Sequence, residues 1–265
     1  MIIKDILKLQ KKNMNNNFVK LSEKFFFDGF LIGKINNIEL IDKLNSISEE
    51  LINNNLKNNN YYFENKNKNQ YDLEPNTWTY DDIFLDLLIK TGLIKILNSV
   101  TNQNLLLTDI RARIIKKDNR LNPWGYIAPH RDSYYQINKW KGPKLPSYKL
   151  IFYPLIGKNN EMLRIFPSSH RKMSRIKNGS LSDRIMAFID SYKSIFKSKN
   201  NFCFFPGTLR HWPLKEKSDE GSLRIIYVFR DIRYYQDYKD NELTNFFIQK
   251  EQVNLNFKNI DITFD

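Results

Sequence analysis

Cysteine is almost missing from this chain. Cys203 is the one thiol among 265 residues, so no intrachain disulfide can form. It lies inside the apolar run Phe202–Phe205, where a buried structural thiol is expected, and an unpaired thiol fits a reducing compartment. Long apolar stretches are missing too. None approaches the roughly 18 uninterrupted residues that suggest a membrane-spanning helix, and the opening MIIKDILKLQKKN has no apolar signal core and no small-residue cleavage site. A soluble, cytoplasmic protein is expected. Acidic residues are in short supply: 29 Asp and Glu face 42 Lys and Arg, a formal net charge of +13. Such a balance invites nucleic acid or an anionic membrane surface as a partner. The excess, however, is mostly lysine scattered among asparagine and isoleucine, with no recurrent aromatic–basic unit and no zinc-finger or other nucleic-acid module. Neither partner is expected, and the charge reads as solvated surface. No internal repeat is present, and the oligomeric state is left open.

What is there suffices for one sizeable core. Hydrophobic residues make up 41% of the chain and aromatic ones 14%, so a single domain over residues 1–265 is expected. Ile3–Leu9 has the spacing of a short helix, and Lys24–Ile35 reads as a strand. Ile38–Leu56 places Leu40, Ile41, Leu44, Ile47 and Leu51 on one helical face. The Asn-rich stretch at about 53–70 reads as a surface loop. Asp81–Asn98 reads as a second amphipathic helix, with Asp81 or Asp82 as its cap. Strands are expected at Leu105–Lys116, within Tyr126–Ile137, and at Tyr148–Ile156, Leu163–Phe166, Asn201–Phe205 and Leu223–Phe229. Between the last few, Ser182–Lys197 carries Ile185, Ile189, Tyr192 and Phe196 at helical spacing. It reads as an inserted helix packed under the sheets, with a position at a pocket mouth as the alternative. Helices followed by many strands with polar turns imply a mainly β sandwich or barrel with a helical buttress.

Histidine is scarce as well, and its placement is informative. Two of the three histidines are His130, in His130-Arg131-Asp132, and His211, followed by Arg224. In an extended strand, residues i and i+2 point to one side, so His130 and Asp132 present an imidazole and a carboxylate together. A distant histidine would complete two nitrogens and one carboxylate on one face of a metal, the donor set of non-haem Fe(II) oxygenases. Pro206-Gly207 is a turn dipeptide. If the segments around His211 and Leu223–Phe229 form a hairpin centred near Lys217–Ser218, Arg224 stands across from His211. A guanidinium there can clamp a carboxylate in a two-pronged way. The plain alternatives are a satisfied core or surface histidine and an edge-strand arginine. The apolar flanks Leu223, Ile225 and Ile226 favour a buried Arg224 with an anionic partner. His170 is the competing third ligand, and a loop histidine closing a strand is its better reading.

These residues resemble the Fe(II)/2-oxoglutarate-dependent dioxygenases, and among them the phytanoyl-CoA dioxygenase-like branch. Phe25–Gly33 (FFFDGFLIG) is similar to that branch's N-terminal Phe…Asp-Gly-Phe segment. Pro129–Ser133 is similar to its first metal-binding motif, and Pro206–Trp212 (PGTLRHW) to its distal-histidine turn. Leu163–His170 (LRIFPSSH) matches its Leu…Pro-Gly-Ser-His strand end, with Ser168 where glycine is usual. The resemblance implies a double-stranded β-helix, or jelly roll. It implies Fe(II) held by His130, Asp132 and His211. It also implies 2-oxoglutarate paired through its far carboxylate with Arg224, helped by Ser222, and O2 as oxidant. Oxidation of a small-molecule C–H bond, with release of succinate and CO2, is the implied activity. An intact Asp132 points to hydroxylation or a related oxidation rather than halogenation. Arg224 and Arg230 lie six apart, a spacing also found in nucleic-acid demethylases of the superfamily, which are the alternative enzyme reading. A jelly-roll binding protein without catalysis is the alternative from another class. For substrate contact, Tyr134 and Gln136 continue the face of His130 and Asp132. Arg111 and Arg113 share one face of Leu105–Lys116, and an inward Arg113 would suit an anionic substrate.

Overall fold

The computed structural model describes residues 16–57, 61–64, 70–73, 82–117, 129–136, 139–141, 146–155, 163–171, 180–182, 185, 189, 192–195, 200–214, 216, 221–253 and 262–264. Two antiparallel sheets carry the fold. The larger has eight strands in the order β13-β1-β10-β7-β12-β4-β3-β2. These are β1 (Leu31–Ile35), β2 (Tyr61–Glu64), β3 (Gln70–Leu73), β4 (Leu105–Ile115), β7 (Tyr148–Leu155), β10 (Asn201–Pro206), β12 (Ser222–Asp231) and β13 (Ile262–Phe264). The smaller has the order β11-β8-β9, from His211–Pro213, Leu163–Ile165 and Lys193–Ile195. A separate hairpin joins β5 (Tyr134–Gln136) to β6 (Lys139–Lys141). This is the expected mainly β jelly roll with helices on one side.

Strand alternation sorts the core into two layers. Leu223, Ile225, Tyr227 and Phe229 of β12, with Leu150, Phe152, Phe202 and Phe204, pack against the helices. Ile226, Ile151, Tyr153, Cys203 and Phe205 face the small sheet and meet Leu163, Ile165 and Ile195. The central strands are therefore apolar on both faces, as strands covered on both sides must be. The charged residues of their inner face, Arg113, Lys149 and Arg224, stand out against that pattern.

The helical layer differs from the sequence reading at several points. The aromatic run after Lys24 is helical, not extended: the first helix is Asn16–Asp28, with the strand only from Leu31. Phe18, Leu21 and Phe25 fall on one helical face and reach the core. Asp81–Asn98 is two helices, Asp82–Ile89 and Leu93–Thr101, broken at Gly92 with φ 72°. Buried Thr91 bridges the break, donating to the Leu87 carbonyl at 2.5 Å and accepting from Leu93 N–H at 3.3 Å. The supposed loop at 53–70 holds the end of helix Ile38–Lys57 and strand β2, which pairs with β3. A last helix, Glu242–Val253, was not foreseen. Residues 181, 182, 185 and 189 are helical, but Lys193–Ile195 is a strand, so the inserted helix cannot run to 197. Ile185 and Ile189 are exposed, which removes the packing role expected of them, and Phe196 lies outside the described residues. Ile3–Leu9 and Asp81 also lie outside them. Among the described residues no helix is long and apolar enough to cross a membrane.

A tertiary cap closes the first helix. Its last carbonyls have no partners within the helix. The turn at Ser168–His170 supplies them: Ser168 N–H donates to Asp28 O at 2.7 Å and Ser168 Oγ to Phe27 O at 2.9 Å. His170 Nε2 lies 3.1 Å from Phe26 O. Ser168 sits at φ 62°, the left-handed region that favours glycine. Gly29, at φ 84°, leaves room for the His170 ring, which a Cβ there would meet at 2.2 Å. Gly29→Ala is expected to destabilise by about 2–4 kcal/mol, combining the left-handed penalty with overpacking. In a His170→Ala background the same change should cost less, because the opposing ring is gone. Urea denaturation of the four proteins in that cycle measures the coupling; equal costs in both backgrounds would refute the contact.

Candidate metal centre

His130 and His211 are brought together by backbone before side chains matter. They form an isolated antiparallel bridge. His130 N–H donates to His211 O and His211 N–H to His130 O, both at 2.9 Å. A second tie lies three residues on, where Ser133 N–H donates to Gly207 O at 3.0 Å. Gly207 is closely approached there: a Cβ would lie 3.0 Å from Ser133 Oγ and 3.2 Å from Ser147 Oγ. Directly opposed residues of an antiparallel pair project to the same face, and the two imidazole centroids are 4.4 Å apart.

Asp132 completes the cluster, as the spacing predicted. His130 Nε2 lies 3.8 Å from its Oδ1 and His211 Nε2 lies 3.7 Å from its Oδ2. One ligand atom from each of the three residues falls within 4.8 Å of the others, a span that one cation can gather. His211 is almost fully buried, with Phe205 against its ring at 4.9 Å. Its Nδ1 lies 3.1 Å from Leu209 O. A carbonyl can only accept, so Nδ1 carries the proton and Nε2 turns its lone pair to the cluster. Burial and the neighbouring His130 push the His211 pKa down to about 3. Burial by itself would raise Asp132; His211, Lys149 and His130 together bring it down to about 2. Two imidazole nitrogens and one carboxylate form a donor set for a first-row divalent cation.

Arg224 does not stand across from His211. β11 and β12 do not pair as the expected hairpin, because they belong to different sheets; its expected turn, Lys217–Ser218, lies outside the described residues. His211 pairs with Ile165 of β8, and Arg224 pairs with Arg113 of β4. Arg224 nonetheless lies on the inner face of the large sheet, buried. Ser222 shares that face two residues away, and its buried Oγ has no hydrogen-bond partner among the described residues. A buried hydroxyl left unpaired costs about 1–3 kcal/mol, so a buried serine beside a guanidinium suits an anionic oxygen from outside the chain. The far carboxylate of 2-oxoglutarate is such a group, and the residues present fit it.

Arg113 does face inward, as Arg224 does, but its guanidinium is gripped at Nε and Nη2 by both oxygens of Asp72 on β3. Two guanidiniums on adjacent strands would repel; Asp72 offsets one of them. Sequence reading missed Asp72 because no element was expected between the Asn-rich loop and Asp81. The available signal was the alternation Gln70-Tyr71-Asp72-Leu73, with Tyr71 and Leu73 in the core. Arg111, two residues before Arg113 on the same face, is half-exposed and lies 2.7 Å from Asp109. Lys149 was also missed, although a lone cation in the apolar strand Tyr148–Leu155 was a visible signal. Its Nζ lies 2.9 Å from Asp132 Oδ2. Tyr134 and Gln136 are on β5, but their side chains lie outside the described residues. His170 is held in the helix cap, away from the cluster, and its partial burial lowers its pKa. Arg230 donates to Pro146 O at 3.0 Å and stacks over Tyr238, contacts that tie down the segment after β6.

No family model matches the sequence, and no curated protein matches it. Solved structures do. The epimerase SnoN, crystallised with Fe3+, α-ketoglutarate and nogalamycin RO, has a TM-score of 0.61 at 11% identity over 81% of this chain and 84% of that one. The non-haem α-ketoglutarate-dependent carbocyclase SnoK has a TM-score of 0.60 at 12% identity over 83% and 85%. HygX from Streptomyces hygroscopicus, with nickel, 2-oxoglutarate and hygromycin B bound, has a TM-score of 0.54 at 12% identity over 82% and 88%. The chain shares the jelly-roll fold of these enzymes.

The acid response of the metal-free protein follows from His211. Below pH 6.5 the unfolded chain binds a proton that folded His211 refuses until about pH 3. Stability is therefore lost as pH falls through that window. Asp132 adds to the loss only below its ordinary value of 3.8. With chelator present, Tm should fall steadily from pH 7 to pH 4, and His211→Gln should flatten the slope. An equal slope in both proteins would contradict a buried neutral His211.

Proposed function

We propose that this protein is an Fe(II)- and 2-oxoglutarate-dependent oxygenase acting on a small molecule. The observation that carries this is the convergence of His130, Asp132 and His211 within 4.8 Å, reached from two separate chain segments. The shared fold with α-ketoglutarate-dependent enzymes supports it. His130 and His211 would supply imidazole nitrogens and Asp132 a carboxylate oxygen to Fe(II). Arg224 and Ser222 would hold the far carboxylate of 2-oxoglutarate. When bound, the iron and its cosubstrate supply activation of O2 and oxidation of a C–H bond, with release of succinate and CO2. The chain's own part is to bind and orient. The His130–His211 bridge fixes two ligands, Leu209 O fixes the His211 tautomer, and Phe205 with the inner core excludes water from that side. With the usual carboxylate ligand in place, hydroxylation is the proposed outcome. An anionic substrate group remains part of this reading. Arg113 is gripped by Asp72, so half-exposed Arg111, two residues along the same face, is the guanidinium proposed to contact that group.

The test is anaerobic loading with Fe(II) and 2-oxoglutarate, then O2, with succinate measured across a panel of small molecules. His211→Ala should abolish iron-dependent succinate formation, and His170→Ala should leave most of it; the reverse result would overturn the ligand assignment. Arg224→Ala should raise the 2-oxoglutarate requirement roughly tenfold to a thousandfold with iron binding retained. Arg224→Lys should recover only part, since lysine lacks the fork. An unchanged requirement would remove Arg224 from the site. Arg111→Ala should weaken coupled oxidation of an anionic substrate and leave uncoupled succinate formation intact; no effect on coupling would dismiss the anionic group.

A further inference from the structure

Asp132 is the one acidic member of the ligand cluster, and it already has a cation. Lys149 projects from β7 onto the inner face of the large sheet, opposite Val228 of β12, with Ile151 as its next inward neighbour. Its Nζ lies 2.9 Å from Asp132 Oδ2. Both side chains are mostly buried, at 23% and 19% exposure. Oδ2 is also the oxygen that His211 Nε2 faces, so ammonium and imidazole converge on one oxygen of the carboxylate that would hold a metal. Without a positive neighbour, a carboxylate this buried would be stranded among uncharged groups, at a large cost.

We propose that Lys149 is the exchangeable counter-ion of Asp132: its ammonium occupies the carboxylate in the metal-free protein and is displaced when a divalent cation binds among His130, Asp132 and His211. This rests on the metal reading above. A different role must be weighed against it. A neutral donor bonded to a metal-binding carboxylate usually orients it, and its loss weakens metal binding roughly tenfold to a hundredfold. Lys149 differs because it would hold a full positive charge beside a dication on the same carboxylate. In a partly buried site, that repulsion outweighs the orienting benefit of a single hydrogen bond. Lys149 therefore stabilises the metal-free protein at the expense of metal affinity. Removing the charge should do two things together: loosen the metal-free fold and tighten the metal.

The test uses the whole chain, stripped with chelator and titrated with Co(II) at fixed pH and ionic strength, without 2-oxoglutarate. Affinity is read by calorimetry and visible absorbance, and Tm is recorded with and without Co(II). Lys149→Met should lower the metal-free Tm, tighten Co(II) tenfold or more, and enlarge the Tm gain on Co(II). Lys149→Gln keeps a hydrogen-bond donor without the charge, and it also serves if the Met variant does not fold. It should tighten Co(II) in the same sense, whereas an orienting role would leave its affinity at the wild-type value. Lys149→Arg should stay near wild type. Unchanged or weaker Co(II) binding in the Met and Gln variants overturns the proposal and leaves the metal site standing. If the wild type takes no Co(II), or takes it equally after His211→Ala, the metal reading itself fails, and the proposal falls with it.

Discussion

The reciprocal hydrogen bonds between His130 and His211 are the constraint on which the site depends. A metal centre needs ligands placed to within a fraction of an ångström, and side chains on separate loops drift by more than that. Here the two histidines are an opposed pair in an antiparallel ladder, so their relative placement is set by peptide geometry. The tie from Ser133 to Gly207 stops the motif segment from pivoting about that bridge. Asp132, between the two ties, has little freedom left. Strand β11 of the small sheet thus carries His211 and holds His130 against it, and the large sheet beside it carries Arg113, Lys149 and Arg224.

Those charges are arranged as compensated pairs. Arg224 and Arg113 are cross-strand partners on one face, an arrangement that would be repulsive without Asp72. Asp72 neutralises one guanidinium and leaves the other beside Ser222. Lys149 and Asp132 repeat the pattern one strand away. The inner face is an apolar floor with a few paired ions set into it, and breaking either pair would leave a mostly buried charge without that compensating partner.

The parts of this site that depend on local spacing were legible in the sequence. His130 and Asp132 are two residues apart, a spacing that suggested a shared direction, although His130 is an isolated bridge and Asp132 lies in a bend rather than a strand. The distal His211 followed from its turn, and the central strands from their apolar runs. Parts that depend on how strands pair were not. The link after Leu214 was taken for a hairpin, but in a jelly roll successive strands alternate between sheets, so Arg224 met Arg113 instead of His211. Asp72 and Lys149 gained meaning only through register. The Phe25–Phe27 run was ambiguous between strand and helix because continuous aromatic residues fit both periods; contacts of Phe18, Leu21 and Phe25 with the core decided it.

Cys203 lies in the inner layer of the core, two residues along β10 from the phenyl ring that backs His211. Burial raises its thiol far above the ordinary range and keeps it protonated. The chain's single thiol is thus kept in the form that metals ignore. Thiolate is what lets zinc and monovalent copper outcompete harder ions. A cluster of nitrogen and oxygen donors alone, with the chain's one thiol locked as a hydrocarbon-like filler, would select among metals partly by what it withholds.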